Sequence, residues 1–257
     1  MWTPLEVKKM KWEHKCSLEW LKERQRYLTA SDVKSLVPIT KTGRPRKITD
    51  DDRLKLFADK RVHLTEEDCY SYGAAARGHI LEPIAIEKAN EASKTHYKWW
   101  DDKIVTRPLR DIAYSPDAAD VSIPEFAQNG EVITSLMEVK CYSNAKHLEV
   151  ASTPIDRLEE RWQIATAMAC DPLIKDALLV LYNPKMMSEL SLFVIHIDRD
   201  DLLEEIDMVR EVEEGWRHFI ESKYPSLLIE RMRGSFCSYE SEEEIYNSLY
   251  NNGNLNP

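Results

Sequence analysis

The sequence is short of the features that mark whole classes of protein. Its five cysteines (Cys16, Cys69, Cys141, Cys170 and Cys237) are scattered and form no CxxC pair. That argues against a zinc ribbon and a disulfide framework, and fits a reducing, intracellular setting. No run of about 18 apolar residues occurs, so no spanning helix and no membrane association is expected. The opening, MWTPLEVKKMKWEHKC, is charged and lacks the apolar region of a signal peptide. With 7 Gly and 12 Pro in 257 residues, the chain is not a low-complexity protein. Positive charge is scarce too: 35 Lys and Arg face 45 Asp and Glu, a net charge of −10. Over the whole chain this weighs against nucleic-acid binding, because phosphate contacts need Lys and Arg. A basic groove can still sit within an acidic exterior, and part of the acid lies in ESEEE at 240–244.

What is present is ordinary globular material. Hydrophobic residues make up 43% and charged residues 31%, enough for a sizeable core. CSLEWLKERQRY (16–27) reads as a helix. LTASDVKSLV (28–37) starts a second, with Thr29 or Ser31 as its N-cap. PITKTGRPRKITDDD (38–52) is a polar loop, and DDRLKLFADKRV (51–62) a helix by its Leu54, Phe57 and Ala58 spacing. SYGAAARGHILEPIAIEKANEAS (71–93) is a long helix with Leu81, Ile84, Ala85 and Ala89 on one stripe and Glu82 beside it. Pro83 belongs in a first turn or at a kink.

Residues 97–123 alternate like strands and turns, and VITSLMEVKCY (132–142) is a short buried strand. PIDRLEERWQIATAMACD (154–171) is a strong helix with Leu158, Trp162, Ala165 and Ala169 on its apolar stripe and Gln163 at the edge. DALLVLYNP and LSLFVIHID are neighbouring strands, and 199–224 is a long amphipathic helix. No repeat or domain linker interrupts this order. It predicts an α/β (α+β) fold, with a central mixed β-sheet flanked by helices.

The chemistry concentrates in AYSPDAADVSIPEFAQNGEVITSLMEVKC (113–141). On a strand, Glu138 and Lys140 project to one face while Met137 and Val139 point to the core. A hairpin would bring Asp117 next to Glu138. Two clustered carboxylates repel unless a positive charge lies between them. A hard divalent cation meets that need. Lys140 beside it could act on a water or on phosphate charge. Taken alone, the Glu-x-Lys pair is more often an ion pair at a strand edge. KTGRPRK (Lys41–Lys47) reads either as a solvated loop or as an extended arm following a minor groove.

Five segments in order resemble one family. LTASDVKSL resembles the Ser-Asp helix start of the λ-exonuclease/YqaJ-like viral recombinase nucleases, a branch of the PD-(D/E)xK superfamily. ARGHILEPIAIEKA resembles their Arg-Gly…Glu-Pro helix, YSPDA their Ser-Pro-Asp-Gly turn, SLMEVKC their Glu-x-Lys strand, and RWQIATAMAC their Gln-bearing helix. The sequence departs from the pattern at Ala118, which replaces a glycine, and in a long stretch between Asp117 and Glu138. That stretch leaves Asp120 and Glu131 as conceivable substitute acids.

The resemblance implies a restriction-endonuclease-like core and a metal-dependent DNA exonuclease. It would degrade the 5′ strand of linear duplex DNA from an end, leaving 3′ single-stranded overhangs for phage-type recombination. By position, Glu82, Asp117 and Glu138 would hold one or two Mg²⁺ or Mn²⁺ ions, with the Val139 carbonyl as a further ligand. Lys140 would act on the attacking water, and Gln163 would position the water or the scissile phosphate. Arg24, Ser31 and Ser115 match a terminal-phosphate pocket, with Arg26 an equally basic neighbour of Arg24. The resemblance also implies a ring-like homo-oligomer (a trimer in the best-known case), a single-strand annealing partner, and a cytoplasmic phage or prophage setting. The expected layout is one nuclease domain over 1–237, with 38–72 a charged decoration, and an acidic, flexible tail over 238–257. The alternatives are a structure-specific or nicking endonuclease on the same core, and a catalytically decayed DNA-binding or assembly protein.

Overall fold

Strand β7, Val132–Lys140, organises the molecule. The computed structural model describes residues 10–11, 17–37, 45–71, 73–100, 104–106, 110–122 and 132–222. The chain divides into two compact units, Met1–Glu214 and Gly215–Pro257. The boundary expected near residue 237 and the tail beyond it lie outside the described residues, as do Glu131 and residues 41–44 of the basic loop.

In the first unit, β1 (Met10–Lys11) pairs with β3 (Tyr70–Ser71), and β2 (Leu28–Thr29) runs parallel to β5 (Ile112–Ala113). The main sheet has five strands in the order β4 (Lys98–Trp99), β6 (Ala118–Ser122), β7, β8 (Asp176–Tyr182) and β9 (Leu192–Asp198). Only the β7–β8 pair in it is parallel; the other neighbours are antiparallel, so the sheet is mixed as expected.

The helices begin where side chains can take up the first unpaired amides. Ser17 accepts from Trp20 N at the head of α1 (Leu18–Gln25). Thr29, rather than Ser31, caps α2 (Ala30–Leu36) in a reciprocal box with Asp32, and Thr49 and Asp52 do the same for α3 (Asp50–Asp59). Helix α4 runs from Gly73 to Ser93 with Pro83 inside it, well past the first turn. Helix α5 (Asn144–Ala151) follows β7. The helix expected over 154–171 is split into a 3₁₀ turn at Ile155–Arg157 and α6 (Arg161–Cys170). Helix α7 spans Leu203–Glu221. The second unit's described residues are its last turns and Ser222, where the Trp216 and Phe219 rings stack at 6.1 Å.

The period of two along β7 decides what reaches the core. Met137 and Val139 pack with Ala85 and Ala89 of α4 and with Leu178 and Val180 of β8. Glu138 and Lys140 fall on the opposite face. Helix α6 is buried at every position except Gln163.

Candidate active site

Asp117 stands immediately before β6, whose pairing of Ala118 with Met137 sets it against Glu138. Its backbone N–H donates to the Met137 carbonyl at 3.1 Å. Its side-chain Oδ2 accepts from Val139 N at 2.7 Å. The expected hairpin contact is therefore made, and a strand amide fixes the orientation of this carboxylate. Ala118 is fully buried and packs into the core beside Met137, so a methyl group is accommodated where the resembled turn has glycine.

Glu138 and Lys140 lie on one face, and the Lys140 ammonium pairs with the Glu138 carboxylate. Burial pushes the Lys140 pKa down, but the charges of Glu138 and Asp117 outweigh this, and it lies above the ordinary lysine value. Glu82 comes from α4 and is 9% exposed. It accepts a hydrogen bond from the Trp99 indole N–H at 3.2 Å and has His79 Nδ1 at 4.0 Å one turn earlier.

A cleft of about 400 Å³ gathers these groups. Glu82, Asp117, Glu138, Lys140 and Gln163 line it, and so do Arg24, Ser31 and Ser115. Val139 lines an adjoining cleft, with its amide on Asp117. Glu82, Asp117, Glu138, Val139, Lys140, Gln163, Arg24, Ser31 and Ser115 thus each reach one of two neighbouring cavities. Between the two arginines the structure is decisive in placement. Arg24 lines the cleft, with its guanidinium 4.4 Å from the Trp20 ring centroid and Nη2 3.5 Å from Thr29 Oγ1. Arg26 turns outward onto Glu23 at 3.0 Å and is 73% exposed. Asp120 is exposed on β6 and adds its charge to the surroundings of Tyr97, lining neither cleft. In the basic loop, Arg46 forms a two-pronged pair with Asp52 at 3.0 and 3.1 Å, which favours the solvated-loop reading there.

Among the described residues, no three His, Cys, Asp or Glu side chains are drawn together as a ready metal-holding group. The donors nonetheless fit a hard divalent cation in kind: three carboxylates line the cleft and, among the described residues, no thiol does. In this arrangement Glu138 is engaged by Lys140. Nearby, burial first and Glu82 second push the Cys141 thiol up to about 12, so it is no nucleophile at neutral pH.

Sequence reading missed three contributors. Thr29 lines the cleft and accepts from Arg24; its position between Arg24 and Ser31 was the available signal. His79 lines both cavities, one turn before Glu82. Glu160, 2% exposed, accepts from Lys34 Nζ at 3.0 Å and from the Tyr142 hydroxyl. It ties α2 and the segment after β7 to the start of α6, and no sequence signal links partners so far apart.

No protein-family model and no curated protein matches the chain. Among solved structures it matches LHK-Exo, an alkaline exonuclease from Laribacter hongkongensis. The TM-score is 0.58 at 20% identity, over 85% of this chain and 98% of that one. The two chains share one fold. The structure of LHK-Exo in complex with dAMP gives a TM-score of 0.55 at 21% identity, covering 83% of this chain and 100% of that one. A phage related exonuclease from Haemophilus somnus 129PT is similar at 14% identity and a TM-score of 0.49, over 80% and 96% of the two chains. The shared fold agrees with the expected one, helices around a mixed sheet; in this chain the central strand carries Glu138 and Lys140.

Proposed function

We propose that this chain is a metal-dependent deoxyribonuclease that degrades linear duplex DNA from its ends, 5′ to 3′, leaving 3′ single-stranded overhangs. The observation that carries the proposal is the gathering of Glu82, Asp117, Glu138, Lys140 and Gln163 in one cleft with Arg24, Ser31 and Ser115. An ion pair at a strand edge gives no reason for a buried glutamate, a second carboxylate and a glutamine to converge on it from three other elements.

The roles follow from chemistry and position. Mg²⁺ or Mn²⁺ would be held by Glu82, Asp117 and Glu138 with the Val139 carbonyl; when bound, such an ion supplies Lewis-acid charge stabilisation and a more acidic water. The Val139 amide holds Asp117 in one orientation, so the carboxylate needs no rearrangement to act. Lys140, which pairs with Glu138 in the cleft, would act on the attacking water or stabilise phosphate charge. Gln163, the one α6 side chain not buried, can donate and accept at the water or scissile phosphate. Arg24, Ser31 and Ser115 offer a guanidinium and two hydroxyls to a terminal phosphate.

The wider reading follows the resemblance: a nuclease domain over 1–237 with a flexible tail, assembled as a ring-like homo-oligomer with a trimer as the reference case. It would act on duplex ends with a single-strand annealing partner, in the cytoplasm of a phage or prophage host. The test is incubation with Mg²⁺ of linear duplexes labelled at either end, beside a covalently closed circle. The expected result is early release of the 5′ label and an intact circle. A nicked circle supports the endonuclease alternative. Failure to cleave or to bind metal supports the decayed alternative.

A further inference from the structure

The candidate catalytic groups do not close off the first cleft. A second cavity, of about 790 Å³, adjoins it and shares His79, Glu82, Asp117 and Lys140 with it. Its remaining walls come from the first turns of α4, from Val139 of β7 and from the segment that follows β7. Among the described residues no carboxylate lines it beyond the two it shares, whereas Arg77 and Lys146 do. That is a local reversal in a chain of net charge −10. Arg77 donates from Nη2 to the Cys141 carbonyl at 2.5 Å, which anchors its guanidinium just past the Glu-x-Lys strand. Its Nε is buried and makes no hydrogen bond. Lys146, 40% exposed, reaches Glu149 at 2.9 Å. A Cβ added at Gly78 would meet nothing within 4 Å, so this glycine faces open space and is not demanded by packing.

We propose that the second cleft carries the DNA strand beyond the scissile phosphate, with Arg77 and Lys146 on its backbone phosphates and Gly78 leaving room for the sugar–phosphate chain. The inference rests on reading the first cleft as the site of terminal-phosphate binding and hydrolysis. A strand held by its terminal phosphate at Arg24 and cut beside Lys140 leaves one nucleotide in the first cleft. A cavity of about 400 Å³ suits a ligand of that size. The rest of the strand then has to leave past Asp117 and Lys140, and the larger, cation-lined cavity lies there. Cations aimed at phosphates read no bases, so the path is blind to sequence.

The test measures binding of a 5′-phosphorylated mononucleotide and of a 5′-phosphorylated eight-nucleotide single strand to the full chain, with Ca²⁺ replacing Mg²⁺. The variants are Gly78→Leu and Arg77→Gln. Gly78→Leu removes no contact and improves helix propensity, so it keeps the proposal testable if Arg77→Gln fails to fold. The mononucleotide should bind both variants as it binds the wild type. The eight-nucleotide strand should bind Gly78→Leu about tenfold more weakly, and Arg77→Gln should lower the log–log salt slope for that strand by about 0.7, one phosphate contact. Unchanged eight-nucleotide binding by Gly78→Leu overturns the proposal. So does a wild type that holds the longer strand no more tightly than the mononucleotide, which leaves the first cleft's reading standing. A wild type that binds neither probe overturns the reading of the first cleft, and this proposal with it.

Discussion

Replacing Glu160 tests whether the cleft is held together by the network that frames it. Its carboxylate is 2% exposed and accepts from Lys34 Nζ at 3.0 Å and from the Tyr142 hydroxyl. Glu160→Gln keeps the shape and an acceptor but removes the charge. Each bond then falls from about 1.5–3 kcal/mol to about 0.5–1.5 kcal/mol, a total loss of about 2 kcal/mol. Glu160→Ala strands both partners, at a cost of about 3–5 kcal/mol. Lys34 is 24% exposed and partly rehydrates, which favours the lower end. In urea at pH 7, with an m-value of about 3 kcal/mol/M, the midpoint should drop by about 0.7 M for Gln and about 1 M for Ala. The pH dependence has a definite sign. Burial pushes the Glu160 pKa up, but Tyr142 and Lys34 outweigh it and hold it below the ordinary 4.5. Its stabilisation is therefore complete above the unfolded value and is lost as pH falls through the lower folded value. The gap between wild type and Glu160→Gln should be constant near neutrality and close in acid. A Glu160→Ala protein within about 0.5 kcal/mol of wild type, or a gap unchanged in acid, refutes the reasoning.

Removing the 5′-phosphate from a linear duplex should slow its degradation, and Arg24→Ala or Ser31→Ala should shrink that difference; release of end-labelled nucleotide measures both, and indifference to the phosphate rejects the pocket. Lys140→Met should cut Mg²⁺-dependent hydrolysis by about 10²-fold or more with an unchanged circular dichroism spectrum, and EDTA should stop the wild type; full activity in either case removes the site assignment.

Much of this site was legible because it depends on short-range periodicity. Two residues apart on a strand is one face, so Glu138 and Lys140 had to project together. The antiparallel β6–β7 pairing had to bring Asp117 near them. Gln163 stood out as a polar residue at the edge of an apolar helix, and it is the α6 residue left unburied. What periodicity leaves open is the choice among neighbours that tertiary packing makes. Arg24 and Arg26 are equal in sequence, and only the fold turns one onto Trp20 and the other onto Glu23. The Lys34–Glu160 pair spans most of the domain and leaves no local trace at all.

The most informative disagreement is on α4. An apolar stripe of Leu81, Ile84, Ala85 and Ala89 sets Glu82 beside the core. The folded helix instead buries Glu82, Ala85, Ile86 and Ala89, while Ile84 is 41% exposed. Of the expected stripe, Ala85 and Ala89 are buried and Leu81 packs against the core, so the miss lies at Ile84, which turns outward while Glu82 and Ile86 turn in. A carboxylate on the inward stripe gives up hydration that no apolar contact restores, and polar neighbours such as the Trp99 indole N–H have to offset that cost. An alanine at position 82 would serve the packing better. A charged group set on the inward face against both propensity and solvation, beside a second carboxylate and a lysine, supports the role proposed for Glu82.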